Sequence, residues 1–363
     1  MQSAAGNNLS LVKTWPPFQT TSILPRLLLD FIFSMREISL ELRQRRSIMN
    51  RRLVRILIIV FLAAFLPVGA LCGDKVSFAV LSDIHYAIDG KDSGRKMLAS
   101  GKAHLPSLLR EISERNDIDF VVFTGDLFID PYYPEMKELT GVLQSSLTKP
   151  YFVVPGNHDR PTDKQIKDGK KVFSLGEFVA AFKGHPYKNN DHAYWSADFK
   201  GYHLVCLDST RADSWGGRIT KEEMDWLKKD LQKNRGKYTI FFLHHPVVEF
   251  YPEVGFEREY FVENDKEITD LLRKNPQVKF VVAGHYHMPA ALFRDGVHHI
   301  LAPSIITYPC KYAIITVSDD EVTYRTFRIE DDQMIERAMN GLSEERSMRD
   351  KFDTDMQFIN AAR

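Results

Sequence analysis

Five short stretches of this sequence set imidazole, carboxylate and carboxamide groups close together. They are Ser82-Asp83-Ile84-His85, Gly125-Asp126, Gly156-Asn157-His158-Asp159, His244-His245 and Gly284-His285-Tyr286-His287. Each follows an apolar run: Val76–Leu81, Phe120–Thr124, Tyr151–Val154, Thr239–Leu243 and Lys279–Ala283. Oxygen and nitrogen donors of this mixture bind Fe, Mn, Zn or Co, and so many imidazoles argue against a pure Mg or Ca site. Asp83, His85, Asp126, Asn157, one of the His244/His245 pair, His285 and His287 are too many donors for one ion. They suit two ions about 3.5–4 Å apart that share a bridging carboxylate. The D-x-H and H-x-H spacings fit, because alternate residues of an extended segment point the same way. A lone D-x-H or a single His has an ordinary structural explanation. Ordered recurrence at five strand ends does not.

Such convergence needs strands laid side by side. Neighbouring strands lie about 5 Å apart, and in α/β sheets ligands gather in the crevice at the strands' carboxyl ends. The region from residue 74 to 330 alternates apolar runs with amphipathic stretches, as one α/β domain would. Helices are expected over Lys96–Arg115 and Pro134–Leu147. Two further helices carry capping-box spacing, with Thr220 and Glu223 at one and Asn264 and Glu267 at the other. A strand is expected at Leu204–Leu207, and the runs His298–Ala302, Tyr312–Val317 and Val322–Phe327 read as a closing antiparallel portion. Residues 331–363 read as a charged helix or tail.

Net charge over the 363 residues is zero but unevenly spread. Residues 1–73 hold nine of the 48 basic and three of the 48 acidic residues, leaving a net of −6 on the rest. An acidic body is a poor partner for nucleic acid. Residues 49–73 have the layout of a signal peptide: Arg51, Arg52 and Arg55, then apolar Ile56 to Leu66, then Pro67 and Gly69. The expected location is therefore exported, periplasmic or extracellular. The apolar core is shorter than the ~20 residues of a membrane span, and a retained anchor through residues 53–71 is the alternative. Residues 1–48 read as a disordered or non-native upstream extension, with Met49 as the start. The cysteines, Cys72, Cys206 and Cys310, make no disulfide framework. Cys206 reads as core, and a Cys206–Cys310 bridge is left open.

The ordered set D-x-H, G-D, G-N-H-D, H and G-H-x-H resembles the signature of the calcineurin-like metallophosphoesterases, over about residues 76–310. The resemblance implies a four-layer αββα sandwich of two mixed β-sheets flanked by helices, with a dinuclear metal site at the strand C-terminal ends. It implies Asp83, His85 and His287 on one metal, Asn157, His244 and His285 on the other, and Asp126 bridging. His244 is taken over His245 as the first His after its strand. His158 would stand near the leaving group, and Asp159 would orient it. Ile129 stands where purple acid phosphatases have a Tyr ligand, and "GDLFIDP" and "GNHD" depart from the Ser/Thr phosphatase pattern. The stretches "HAYWSADFKGYHLVCLDS" and "GRITKEEMDWLKKDL" look like the class III cyclic-nucleotide phosphodiesterase branch, which also holds glycerophosphodiesterases.

The implied activity is an exported phosphodiesterase, acting also on monoesters, by in-line attack of a metal-bridging hydroxide with His158 assisting the leaving group. The alternatives are a phosphatase on small or lipid phosphates and a non-catalytic binding protein of the same fold, the latter disfavoured by the complete ligand set. The expected partner is a small phosphoester. Arg160 is a candidate contact for a phosphate oxygen, against an ordinary solvated arginine. Glu249–Phe261 and Asp130–Pro134 are candidate pocket rims, and Arg211 and Arg218 are undecided. His104, His185, His192, His203, His298 and His299 read as structural.

Overall fold

The computed structural model describes residues 74–182, 187, 192–252, 257–318 and 322–342. The upstream extension, the signal peptide with its anchor alternative, His185, residues 253–256 of the first rim and residues 343–363 lie outside the described residues. In chain order the strands are β1 (Val76–Leu81), β2 (Asp92–Ser93), β3 (Lys96–Met97), β4 (Phe120–Thr124), β5 (Tyr151–Val154), β6 (Trp195–Phe199), β7 (Tyr202–Cys206), β8 (Thr239–Phe242), β9 (Val278–Ala283), β10 (Ala290–Arg294), β11 (Val297–Leu301), β12 (Lys311–Val317) and β13 (Val322–Arg328). The helices are α1 (Leu98–Glu114), α2 (Tyr133–Ser146), α3 (Asp163–Lys167), α4 (Leu175–Ala181), α5 (Lys221–Lys233), α6 (Asp265–Lys274) and α7 (Asp332–Asn340).

Two mixed sheets form the body. One has the order β13-β12-β1-β4-β5, the other β10-β11-β9-β8-β7-β6. In the first, β1, β4 and β5 run parallel and β12 and β13 join antiparallel. In the second, β11, β9, β8 and β7 run parallel, with β10 and β6 antiparallel at the edges. The parallel strands are continuous apolar runs because both faces are covered. Val76 to Leu81, Phe120 to Thr124 and Thr239 to Phe242 are buried throughout. The sheets meet face to face, with Phe242 edge-on to Phe78 at 5.5 Å and to Phe120 at 6.4 Å. Tyr324 of the first sheet donates to the Leu301 carbonyl of the second at 2.8 Å. Helix α1 lies on the first sheet, where Tyr312 reaches Glu111, and packs beside α2 through Ser113 and Ser146. Helices α5 and α6 lie on the second, where Gln277 bonds the Leu231 carbonyl and Arg273 pairs with Asp295 at the β10–β11 turn. The architecture is the four-layer αββα sandwich.

Several local expectations change. The Lys96–Arg115 helix starts at Leu98, and Lys96 belongs to a small hairpin with β2. At α5 the Thr220 hydroxyl caps the Glu223 amide, but the Glu223 carboxylate turns to the Asp208 amide instead of closing the box. At α6 Asn264 makes no cap, because its amide group bonds both backbone groups of Ile219. Of the two readings for residues 331–363, helix holds as far as the described residues go: α7 buries Met334, Ile335 and Ala338 against the body. Cys206 and Cys310 are both buried and free, so no bridge joins them. No described helix is long and apolar enough to cross a membrane.

Candidate metal centre

Every motif sits just past the carboxyl end of a parallel strand: Asp83 and His85 after β1, Asp126 after β4, Asn157 to Asp159 after β5, His244 after β8, His285 and His287 after β9. The first sheet therefore supplies the carboxylates and the second most of the imidazoles. The turns are tight. Asp83, His85, Asp126, His285 and His287 all have positive φ, from 42° to 71°. Left-handed backbone costs a non-glycine residue about 1–3 kcal/mol, and such strain gathers at functional sites. Gly125 has φ +93°, and a Cβ there would lie 2.6 Å from His244 Nδ1. At Gly156 a Cβ would overlap the amide and carboxylate of Asp126.

The donors fall into two groups. In the first, His287 Nε2 lies 3.3 Å from Asp83 Oδ1 and 3.2 Å from His85 Nε2, which is 3.6 Å from Asp126 Oδ2. In the second, His244 Nε2 lies 3.0 Å from Asn157 Oδ1, 3.1 Å from His285 Nδ1 and 3.4 Å from Asp126 Oδ1. Asp126 thus turns one oxygen to each group. Burial would raise its carboxyl, but the imidazoles of His244, His158 and His85 outweigh that and hold it well below the usual carboxylate range.

These residues fit two transition-metal ions. Asp83 Oδ1 is buried with no hydrogen-bond partner among the described residues, a costly state for a carboxylate oxygen that a cation would relieve. The His244 Nδ1–H donates to the Thr124 carbonyl at 2.9 Å, which turns Nε2 toward Asn157 and Asp126, the orientation of a ligating imidazole. His245 lies within reach of His244 and His285 but has no nitrogen to spare. Its Nε2–H donates to the Trp215 carbonyl at 2.8 Å, and its Nδ1 accepts from the Ser209 hydroxyl at 2.9 Å. Burial, then the neighbouring His244, pushes the His245 pKa down to about 3, so it stays neutral.

His158 stands at the rim of the same crevice. Its backbone amide donates to Asp126 Oδ1 at 2.9 Å, and its ring packs edge-on to His85 at 4.7 Å. The expected orienting role of Asp159 has a different geometry. The Asp159 carboxylate accepts from the amides of Gly156 and Phe128, at 2.8 and 3.0 Å, and so fixes the turn. Burial and the Asp126 charge push its pKa up to about 8. The His158 ring is oriented instead by the Ile129 carbonyl, which accepts from Nδ1–H at 2.7 Å.

The candidate substrate contacts divide. The part-exposed Arg160 donates from Nη1 to the Thr210 carbonyl at 3.3 Å and lies 3.9 Å from Asp208. Arg211 and Arg218 both pair with Glu263. In Asp130–Pro134, Tyr133 packs on Phe173 and bonds Glu177, away from the crevice. In Glu249–Phe261, Tyr260 reaches the centre, its ring 5.5 Å from that of His285. Of the structural histidines, His104 pairs with Asp331, His203 is held between Asp198 and Asp230, His192 stacks on Tyr194 and His298 on Phe280. His299 is buried in β11.

Two residues beside the centre carried no sequence signal. Trp215, 46% exposed, lays its ring 4.7 Å from that of His158. Lys96 brings its ammonium to 3.3 Å from His85 Nε2. Neither belongs to a motif, and Lys96 was hidden in what read as the first turn of a helix.

A family model described as calcineurin-like phosphoesterase matches residues 76–289. Over 230 residues the chain is 26% identical to a 3′,5′-cyclic-nucleotide phosphodiesterase of Nostoc sp., covering 63% of this chain and 78% of that one. Over 212 residues it is 28% identical to a probable glycerophosphodiester phosphodiesterase of Arcobacter nitrofigilis, covering 57% and 70%. Among solved structures, a dimetal phosphatase from Danio rerio superposes with a TM-score of 0.53 at 15% identity, over 69% of this chain and 95% of that one, a likeness of fold.

Proposed function

This chain belongs to the calcineurin-like phosphoesterase family, a metal-dependent phosphoric ester hydrolase, and from that premise we propose that it cleaves phosphodiesters and does so outside the cytoplasm. The observation that carries the reading is the position of Asp126, one carboxylate oxygen toward each donor group, with His158 alongside. Its relatives support the diester: they bear the names of cyclic-nucleotide and glycerophosphodiester phosphodiesterases.

Asp83, His85, Asp126 and His287 would hold one metal ion, and Asp126, Asn157, His244 and His285 the other. Such a pair supplies Lewis-acid charge for phosphoryl oxygens and an acidified water as nucleophile. The protein's own groups do the rest. The Thr124 carbonyl holds the His244 Nδ1–H, and Asp126 spans the two halves of the site. The Ile129 carbonyl holds the His158 ring so that Nε2 faces the crevice, where a protonated imidazole can pass its proton to the departing alkoxide.

The test compares bis-p-nitrophenyl phosphate with p-nitrophenyl phosphate on manganese-loaded protein, with and without chelator. Faster, chelator-sensitive cleavage of the diester is the expected outcome; a monoester preference or inert loaded protein overturns the reading. The signal-peptide layout of residues 49–73 supports export. Cell fractionation that leaves the protein in the cytoplasm would remove that part alone.

A further inference from the structure

The hairpin β2–β3 stands beside the metal centre and is held from two sides. Asp92 accepts from the Ser100 amide at 3.0 Å and from its hydroxyl at 2.5 Å, at the start of α1. The same carboxylate accepts from Arg337 of α7 at 3.2 Å. The Met97 amide donates to the Ile306 carbonyl at 2.7 Å, and the Met97 side chain is buried. At the turn, Gly341 lies so close to the Gly94 carbonyl that a Cβ would collide with it. Neighbouring strand residues point opposite ways. With Met97 fixed in the core, Lys96 is driven toward the donors, where its Nζ lies 3.3 Å from His85 Nε2. Arg95, next to it, lines a small cavity with His287 and Thr307.

An ammonium so near a ligating nitrogen is a conflict once metal is bound, because the two cations repel. The carboxylates of Asp126 and Asp83 offset part of that repulsion, and an anion shared between the two cations would offset the rest. Lysine is a compact point charge on a flexible stem, with three donors, and adjusts to such a partner. Resting on the phosphoesterase reading, we propose that Lys96 is a substrate contact that donates to a non-bridging oxygen of the phosphoryl group, with α7 and the start of α1 holding its hairpin in place.

The probe is inorganic phosphate, titrated calorimetrically into the full-length manganese-loaded protein, alongside metal content and melting temperature. Lys96→Met is expected to keep its metal and its melting temperature but to bind phosphate ~10- to 100-fold more weakly, the range for one hydrogen bond to a charged group. Lys96→Arg should recover part of the affinity. Unchanged phosphate affinity in Lys96→Met overturns the proposal. So does tighter metal binding without a phosphate effect, which would make the ammonium a stand-in for the metal. Should wild-type protein hydrolyse neither ester yet bind phosphate through Lys96, the contact stands and the hydrolase reading falls. Should it hydrolyse the diester while Lys96→Met binds phosphate normally, the reverse holds.

Discussion

Asp126 is the residue on which the two donor groups depend together, since its oxygens lie 3.6 Å from His85 and 3.4 Å from His244. Asp126→Ala should therefore drop metal content below two ions per chain, measured by elemental analysis after gel filtration. Two retained ions would show that the halves are independent. His158 is different in kind, because its Nδ1 meets a carbonyl and the proposed mechanism assigns its other nitrogen to the leaving group. His158→Ala should keep the metal and lose ~10²–10⁴-fold in turnover on esters with poor leaving groups, as expected for lost general-acid help. The loss should shrink on p-nitrophenyl esters, whose leaving group needs no proton. Equal losses on both would assign His158 to substrate positioning instead.

At the scale of elements, the loop between β7 and α5 is tied to the centre by His245 and by the Trp215 ring lying on His158. His245 receives the Ser209 hydroxyl and donates to the Trp215 carbonyl, and its ring leaves no space for a Cβ on Gly217. His245→Ala leaves the buried Ser209 hydroxyl without its acceptor, a loss of about 1–3 kcal/mol, and frees the Trp215 carbonyl from its donor. Thermal melting should fall accordingly while metal content is unchanged, and loss of an ion would instead make His245 a ligand. This loop also marks where reading the sequence stops. The parallel strands were legible because they are long apolar runs, and the ligands were legible because they recur where those runs end. Edge strands β6 and β10 were not, since Trp195–Phe199 and Ala290–Arg294 mix exposed polar and apolar residues. The Asn264–Glu267 spacing pointed to a cap, but a nearby loop claims the Asn264 side chain. Lys96 and Trp215 are ordinary residue types made special by contacts distant in sequence, which no local pattern records.

For the whole molecule, metal and fold are linked because the donors come from both sheets. An ion that binds only the native state stabilises it by about 2.7 kcal/mol when present at a hundred times its dissociation constant. Chelation should thus lower the melting temperature by several degrees, at roughly 2–4 °C per kcal/mol for a domain of this size. An unshifted transition would mean that the sheets hold without it. Away from the site, His203 sets a pH dependence. Burial works to lower its pKa, but hydrogen bonds to Asp230 and Asp198 outweigh that and raise it above 6.5. A raised folded-state value means that the stabilisation is complete below pH 6.5 and fades as pH climbs through the folded value. The stability gap between wild type and His203→Asn, read from denaturant midpoints, should narrow from pH 6 toward pH 9, and a constant gap would count against the pair. The positive φ angles of Asp83, His85, Asp126, His285 and His287 reach beyond chemistry. Each bend costs its residue about 1–3 kcal/mol that glycine would not incur. A descendant freed from catalysis would accordingly drift first to glycine or asparagine at these places, and the shape would outlast the activity as a legible scar.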